Sequence, residues 1–370
     1  CPVVIRAGGA MWTVVQRRVA SFSTASKLAS GFGIVLALTA LVAATGFLAL
    51  QDVSARSTLL ERMSAINSQP SRIDRSSHLR ENPATLDLLW SKAQILQIAQ
   101  GRIGATGYLN ADRVAALIAS GEFKEGSRYF LGLDAVTGDP YFAWDTQWSI
   151  AKTDDEMKVG FTTLREVGAA LSDIDVELAL HAVALSNWHR AHPCCAKCGA
   201  PTRVDLGGAV RVCDVDKSQH HPRTDSAVIV LIRDNDDRIL LGHQPVWPEG
   251  RFSCFAGFLE PGETFEQCVS REVFEESGVK VNEIKYLGSQ PWPFPASIMI
   301  AFSAVVDDPS TAKADGVEIT EVRWFSRAEL KSSVADGSLL LPPTISVARK
   351  MIAMWFGPGA EKLTGGESWR

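Results

Sequence analysis

The stretch from Gly257 to Val279 (GFLEPGETFEQCVSREVFEESGV) constrains this chain of 370 residues more than any other part of it. It carries Gly257, Glu263, Arg271, Glu272, Val273, Glu275, Glu276, Gly278 and Val279 in the spacing G-x5-E-x7-R-E-U-x-E-E-x-G-U, where U is a bulky aliphatic residue. Thr264, followed three residues later by Gln267, has the form of a capping box, and Gly278 can end a helix in the left-handed conformation. These signals predict a helix over Phe265–Ser277. At about 100° per residue, Glu272, Glu275 and Glu276 share one arc of about 100° with Phe265, Cys268, Val269 and Val279. A solvated acidic face would lie opposite the apolar residues. Here the acids continue the apolar stripe, so a cation has to neutralise them, and clustered oxygen ligands suit Mg²⁺ or Mn²⁺. Arg271 can hold Glu263 in place by a bidentate contact.

This spacing resembles the signature of the Nudix hydrolases, which cleave a nucleoside diphosphate linked to another moiety. The resemblance implies an α+β fold, an α/β/α sandwich with a mixed sheet in which the segment forms a loop-helix-loop. Flanking sequence agrees: Ala227 to Arg233 (AVIVLIR), Arg238 to Leu241 and Phe252 to Phe258 read as strands. Further on, Ser289, Gln290, Pro291, Trp292, Pro293, Phe294 and Pro295, followed by Ala296, Ser297 and Met299, are similar to the signature of the NADH pyrophosphatase branch. Prolines fix φ and stiffen such a loop, while Trp292 and Phe294 offer flat faces to a base or nicotinamide ring. That branch carries a zinc ribbon before the Nudix domain and a degenerate β-rich domain before the ribbon, and DRSSHLR (Asp74 to Arg80) is similar to the opening of the latter. The implied domains are 72–185 (Nudix-like), 190–222 (zinc-ribbon-like), 223–350 (Nudix) and a tail over 351–370.

Carried over residue by residue, the resemblance implies that the Ala256 carbonyl and the carboxylates of Glu272, Glu275 and Glu276 hold divalent ions, with Glu318 as a further ligand. Glu263, Arg271, Glu272, Glu275 and Glu276 form the implied catalytic set. Ser289 to Ala296 and Ala348 would line the nucleotide, and His221 stands where the family usually has an aromatic residue. The implied reaction is metal-dependent hydrolysis of NAD⁺ or NADH to AMP and NMN or NMNH, with NAD-capped RNA as a larger substrate and a homodimer as the assembly. Divalent ions cancel the pyrophosphate charge that repels hydroxide and acidify a bound water. The competing reading is a membrane-tethered domain that senses a dinucleotide without turnover; the intact glutamates argue against it.

Of the seven cysteines, Cys194, Cys195, Cys198 and Cys213 fall within twenty residues. Cys195 and Cys198 form a C-x-x-C knuckle ahead of Gly199, but no second knuckle follows: Cys213 is succeeded by Asp216, then His220 and His221. A structural Zn²⁺ site of three cysteines with Asp216 or His220 is chemically possible, and so is a ribbon that has lost its metal. The resemblance aligns Cys195, Cys198, Cys213 and Asp216 with the family's four zinc cysteines. Clustered thiols outside a disulfide framework suggest a reducing compartment, the cytoplasm. A net charge of -5 supplies no overall basic field for nucleic acid.

The N-terminal region reads differently. Residues 28–50 are uncharged, follow a basic leader over 1–27 and precede a polar linker helix over 51–71, which makes a transmembrane helix the expectation. The stretch resembles the first membrane helix of a methyl-accepting chemotaxis receptor. A hydrophobic leader and a transit peptide are the alternatives. Such a segment conflicts with a cytoplasmic enzyme, so either it is joined to that enzyme by fusion or start-site misassignment, or the enzyme hangs from the inner face. Between 72 and 185, Arg128 to Val136 and Pro140 to Asp145 read as a hairpin, and Glu166 to Arg190 as a connecting helix in which His181 and His189 sit at the surface or an interface.

Overall fold

A computed structural model of the chain describes residues 70–363 apart from 106. The expected leader, transmembrane helix and most of the linker helix lie outside the described residues. Among the described residues no helix is long and apolar enough to cross a membrane.

The first sheet comprises β1 (Ile73–Asp74), β2 (Gln94–Ala99), β3 (Arg102–Gly104), β4 (Ser127–Asp134), β5 (Pro140–Thr146) and β6 (Phe161–Thr162), in the order β1-β4-β5-β2-β3-β6. Strands β2 and β5 run parallel and the other neighbours antiparallel. The expected hairpin is β4–β5. With it go helices α1 (Pro83–Trp90), α2 (Ala111–Ala119), α3 (Asp154–Lys158), α4 (Leu164–Val167) and α5 (Asp173–Ala191). Helix α5 starts later than its apolar periodicity suggests. Ser172 has extended backbone and its side chain accepts the N–H of Asp175, so it caps α5 and separates it from α4.

His189 departs from expectation. It is buried at 6% exposure on the inner face of α5, its ring stacked on Tyr129 at 4.7 Å. The site is tolerable because both ring nitrogens have partners, the Gly208 carbonyl at 2.9 Å and the Arg211 guanidinium at 3.1 Å.

A three-stranded antiparallel ribbon follows: β7 (Thr202–Asp205), β8 (Val210–Cys213) and β9 (Gln219–His220). The last sheet holds β10 (Asp225–Arg233), β11 (Ile239–His243), β12 (Phe255–Phe258), β13 (Val281–Trp292), β14 (Ser297–Val306) and β15 (Glu321–Phe325), with helices α6 (Phe265–Ser277), α7 (Arg327–Ala335) and α8 (Val347–Phe356). Its order is β13-β14-β10-β11-β15, with β12 paired to β10. Strands β10 and β14 are parallel and in register from Asp225–Ser297 to Arg233–Val305, while the remaining pairs are antiparallel.

Strand β10 shows why both faces are covered. Val228, Val230 and Ile232 point to one side and pack with Cys268, Val269 and Val273 of α6. Ile229, on the other side, shares a cavity with Val347 and Ala348 of α8. A near-continuous apolar run is what a strand sandwiched between helices needs, each such side chain contributing about 1.5–3 kcal/mol on full burial. The result is a mixed sheet between helices, as expected.

Candidate active site

Helix α6 occupies the predicted residues. Thr264 accepts the Gln267 N–H while the Gln267 side chain accepts the Thr264 N–H, and Gly278 ends the helix at φ 69°. Cys268, Val269 and Val273 are buried, whereas Phe265, ahead of the turns that pack on the sheet, stays 36% exposed beside Phe302.

The three glutamates on this stripe differ in environment. Glu275 lies at the rim, its side chain 57% exposed, and Glu272 is largely covered at 13%. Glu276 is buried at 4%. Strand β12 runs beside them closely enough that a Cβ on Gly257 would stand 1.9 Å from the Glu272 carboxyl carbon, so any side chain there would displace that carboxylate.

Arg271 organises the acids around it. Its guanidinium donates to Glu263 Oε1 at 2.6 Å and Oε2 at 3.1 Å, to Glu272 Oε1 at 2.8 Å, to Glu275 Oε2 at 3.1 Å and to the Phe258 carbonyl at 3.0 Å. The hydrogen bond from Arg271 pulls the Glu263 carboxyl down to about 2, helped by the Glu260 N–H. Glu263 therefore serves to fix Arg271 and the loop ahead of α6. Burial pushes Glu272 up, and pushes Glu276 up to about 8, aided by the charges of Glu272 and Glu318. Glu276 Oε2 has no hydrogen-bond partner. An orphaned, buried carboxylate oxygen facing two other acids fits a site for a hard cation, which would supply both the missing partner and the missing charge.

Two cavities meet at Glu276. One, a cleft of about 790 Å³, is walled by Glu272, Glu275 and Glu276 and, across from them, by Asp315 and Glu318. The other is largely apolar and is lined by Trp247, Gln290, Trp292 and Ala348. Ala256, Glu276 and Met299 line both.

The proline-rich segment is thereby divided. Ser289 to Trp292 belong to β13, and Gln290 is anchored by donating to the Ile345 carbonyl and accepting the Val347 N–H, both at 2.7 Å. Of the segment Ser289 to Ala296, Gln290 and Trp292 face the apolar cavity; Ser289, Pro291, Pro293, Phe294, Pro295 and Ala296 are not among its lining residues. Phe294 instead packs against the core of the first sheet and under the Arg165 guanidinium at 4.5 Å. His221 is exposed and lines neither cavity.

Sequence reasoning passed over Phe258, which is 57% exposed and lines the acidic cleft. The alternation of a strand could have found it. Phe255 and Phe258 lie three apart and point to opposite faces, so with Phe255 in the core Phe258 has to face outward. Trp247, in the loop between β11 and β12, carried no such signal.

The cysteine cluster assembles as well. The ligand atoms of Cys195, Cys198, Cys213 and Asp216 all lie within 4.8 Å of one another, the one such group among the described residues. His220 stands beside the cluster, where Ser218 links the two: its hydroxyl lies 3.1 Å from His220 Nε2 and 3.4 Å from Cys195 Sγ. The Ser218 hydrogen bond draws the Cys195 thiol down to about 6, and hydrogen bonds from the same residue hold Asp216 below the usual carboxylate range. Cys194 is exposed and stands outside the cluster.

An acidic helix laid across a mixed sheet, with its glycine-bearing strand against the glutamates, defines a Nudix domain, and the NUDIX domain family matches residues 223–343. The chain is 43% identical over 211 residues to the NAD-capped RNA hydrolase NudC of Mycobacterium bovis, covering 55% of this chain and 67% of that protein. It is 38% identical over 180 residues to the NAD-capped RNA hydrolase NUDT12 of Homo sapiens, covering 45% of this chain and 39% of that protein. A solved Nudix hydrolase from Nitrosomonas europaea is 26% identical, with a TM-score of 0.32 over 37% of this chain and 78% of that one. The chain belongs to the Nudix hydrolase family, in its NADH pyrophosphatase branch.

Proposed function

We propose that this protein hydrolyses the pyrophosphate bond of NADH and NAD⁺, releasing AMP and NMNH or NMN, and cleaves the same bond at NAD-capped RNA ends. The observation that carries this reading is the meeting of two cavities at Glu276: an acidic cleft suited to a metal-bound pyrophosphate opens beside an apolar cavity suited to a ring. The names of the relatives point the same way.

In this reading the Ala256 carbonyl, Glu272, Glu275, Glu276 and Glu318 hold Mg²⁺ or Mn²⁺. The ions, when bound, neutralise the pyrophosphate and acidify water. Arg271 and Glu263 position the glutamates, and Trp292, Gln290, Ala348 and the exposed ring of Phe258 take the aromatic ends of the dinucleotide. Glu276 and Glu318 are not among the acids Arg271 engages, and the proton of the attacking water passes to one of them. Water oxygen joins one phosphorus as the bridging oxygen leaves on the other. A complete acid set argues against a sensor that binds without turnover.

Around this centre we assign 72–185 to a Nudix-like domain, 190–222 to a ribbon holding one structural Zn²⁺ on Cys195, Cys198, Cys213 and Asp216, 223–350 to the Nudix domain and 351–370 to a tail. The homodimer is what the family resemblance implies, and the exposed rings of Phe274 and Tyr286 are available to it. Cytoplasmic placement rests on the reduced cysteines and the substrate pool; a membrane attachment would rest on residues 28–50 alone. Incubation with NADH, NAD⁺ and NAD-capped RNA in Mg²⁺ or Mn²⁺, with products read by mass, tests the activity. AMP with NMNH is the expected pair, and intact NADH at saturating metal would refute the reading.

A further inference from the structure

The loop that presents Trp292 is poor in its own hydrogen-bond donors. Pro291, Pro293 and Pro295 have no N–H, and the Phe294 N–H is turned back onto the Trp292 carbonyl at 2.7 Å. The carbonyl of Pro293, a buried residue, must therefore find a donor elsewhere, since a covered carbonyl without one is costly, whereas that of Pro295 is exposed. Both find the same atom. Asn187 Nδ2, on α5, donates to the Pro293 carbonyl at 2.9 Å and to the Pro295 carbonyl at 3.2 Å.

Asn187 is itself held. Its Oδ1 accepts from Arg190 Nη2 at 2.7 Å, one turn further along the same helix. This contact leaves the amide nitrogen directed at the loop. Phe294, between the two anchored carbonyls, is half-buried and packs against the core of the first sheet. Trp292, immediately before them, lines the apolar cavity of the active site. The turn is thus clamped to the N-terminal half on one side and presents its indole to the Nudix half on the other.

We infer that Asn187 is a positioning residue for substrate binding: by fixing the Pro293 and Pro295 carbonyls it sets the place of Trp292 in the ring-binding cavity, though it lies outside the Nudix domain. This rests on the reading of that cavity as the dinucleotide site. Contacts of Trp292 with a ring are made about equally in ground and transition states, so disturbing them raises KM more than it lowers kcat.

The sharp variant is Asn187→Asp. It keeps the shape and the Arg190 contact but removes both donor hydrogens and turns a carboxylate toward two carbonyls. We expect KM for NADH to rise about tenfold with kcat within about twofold, and Asn187→Ala to do the same. Hydrogen exchange followed by mass spectrometry gives a reading independent of activity. Amides in 293–299 should exchange faster in the variant while those of α5 keep their protection, which a general loss of structure would not allow. Unchanged KM together with unchanged exchange in 293–299 overturns the inference, as does a fall in kcat at constant KM. If the native protein leaves NADH intact, the proposed activity fails. Exchange then decides on its own whether Asn187 clamps the loop.

Discussion

The first sheet and the Nudix sheet share a core of the same design and differ in what is hung on it. In each, a parallel pair, β2 with β5 and β10 with β14, is flanked by an antiparallel strand on either side, β4 and β3 in one, β13 and β11 in the other. In each, a helix precedes the outer strand of the β4–β5 or β13–β14 hairpin. Helix α2 (ADRVAALIA) buries Val114 and Leu117 and carries Asp112 as its lone acid, while α6 carries Glu272, Glu275 and Glu276 on one arc that runs from the rim to the packed side. The shared topology supplies a frame; the chemistry comes from the residues on one helix and the strand beneath it. The half whose helix lacks the glutamate cluster instead contacts the turn after Trp292, through Asn187.

The largest effect should separate the two helices. Glu275→Gln with Glu276→Gln is expected to lower kcat for NADH by about 10³-fold or more with the circular dichroism unchanged, whereas Asp112→Asn on α2 should stay within about twofold. Equal effects at saturating Mg²⁺ would erase the distinction.

Glycines sharpen it next. A Cβ on Gly257 would collide with the Glu272 carboxylate, but one on Gly104 of the first sheet meets Gln97 atoms no closer than 3.5 Å. Gly257→Ala should therefore cut kcat/KM by about 10²-fold, while Gly104→Ala should leave it nearly unaltered. Steady-state kinetics on the pair decides this.

The third test is metal removal. Glu276, pushed up to about 8 from an ordinary value of 4.5, is mostly protonated at pH 7 without metal. Its folded value lies above its unfolded one, so its contribution is present below pH 4.5 and is lost as pH rises through 8. Stripped protein should thus melt lower at pH 8.5 than at pH 6, and Mg²⁺ should restore the loss while displacing about one proton at pH 7. Calorimetry in buffers of different ionisation enthalpy reads that proton. In the first sheet burial also pushes the Asp145 carboxyl up, but there the Tyr129 hydroxyl donates to it at 2.9 Å, so no metal is needed to satisfy it.

The smallest effect belongs to the N-terminal half. Burial pulls His189 down to about 4 from 6.5. The unfolded chain then takes up the proton first as pH falls, so His189 favours the fold fully above pH 6.5 and loses that contribution toward pH 4, by at most about 3 kcal/mol. Thermal melts over this window should show the slope, and His189→Gln should flatten it.

Much of the site was legible because its signals are short-range. Thr264, Gln267 and Gly278 bound α6 through contacts within three or four residues, and helical periodicity alone brings Glu272, Glu275 and Glu276 together on an apolar stripe. The C-x-x-C turn likewise places Cys195 beside Cys198, and its partners Cys213 and Asp216 arrive on the next hairpin. Which glutamate is buried was not legible, since that depends on how β12 lies against the helix. Sequence also offered Trp292 and Phe294 as two stacking rings for a ligand; in the structure they meet edge to face at 5.1 Å, and only Trp292 lines the cavity while Phe294 packs against the first sheet's core. Asn187 meets Pro293 across 106 positions of chain, and His189 meets Tyr129 through a stacked ring; no spacing rule reaches that far. The sequence by itself determined the helix, its caps and its acids, because backbone geometry places residues three and four apart on one face. Only the tertiary structure decided which acid loses its solvent, which ring faces the cavity and which distant amide meets the loop, because those follow from burial among elements far apart in the chain.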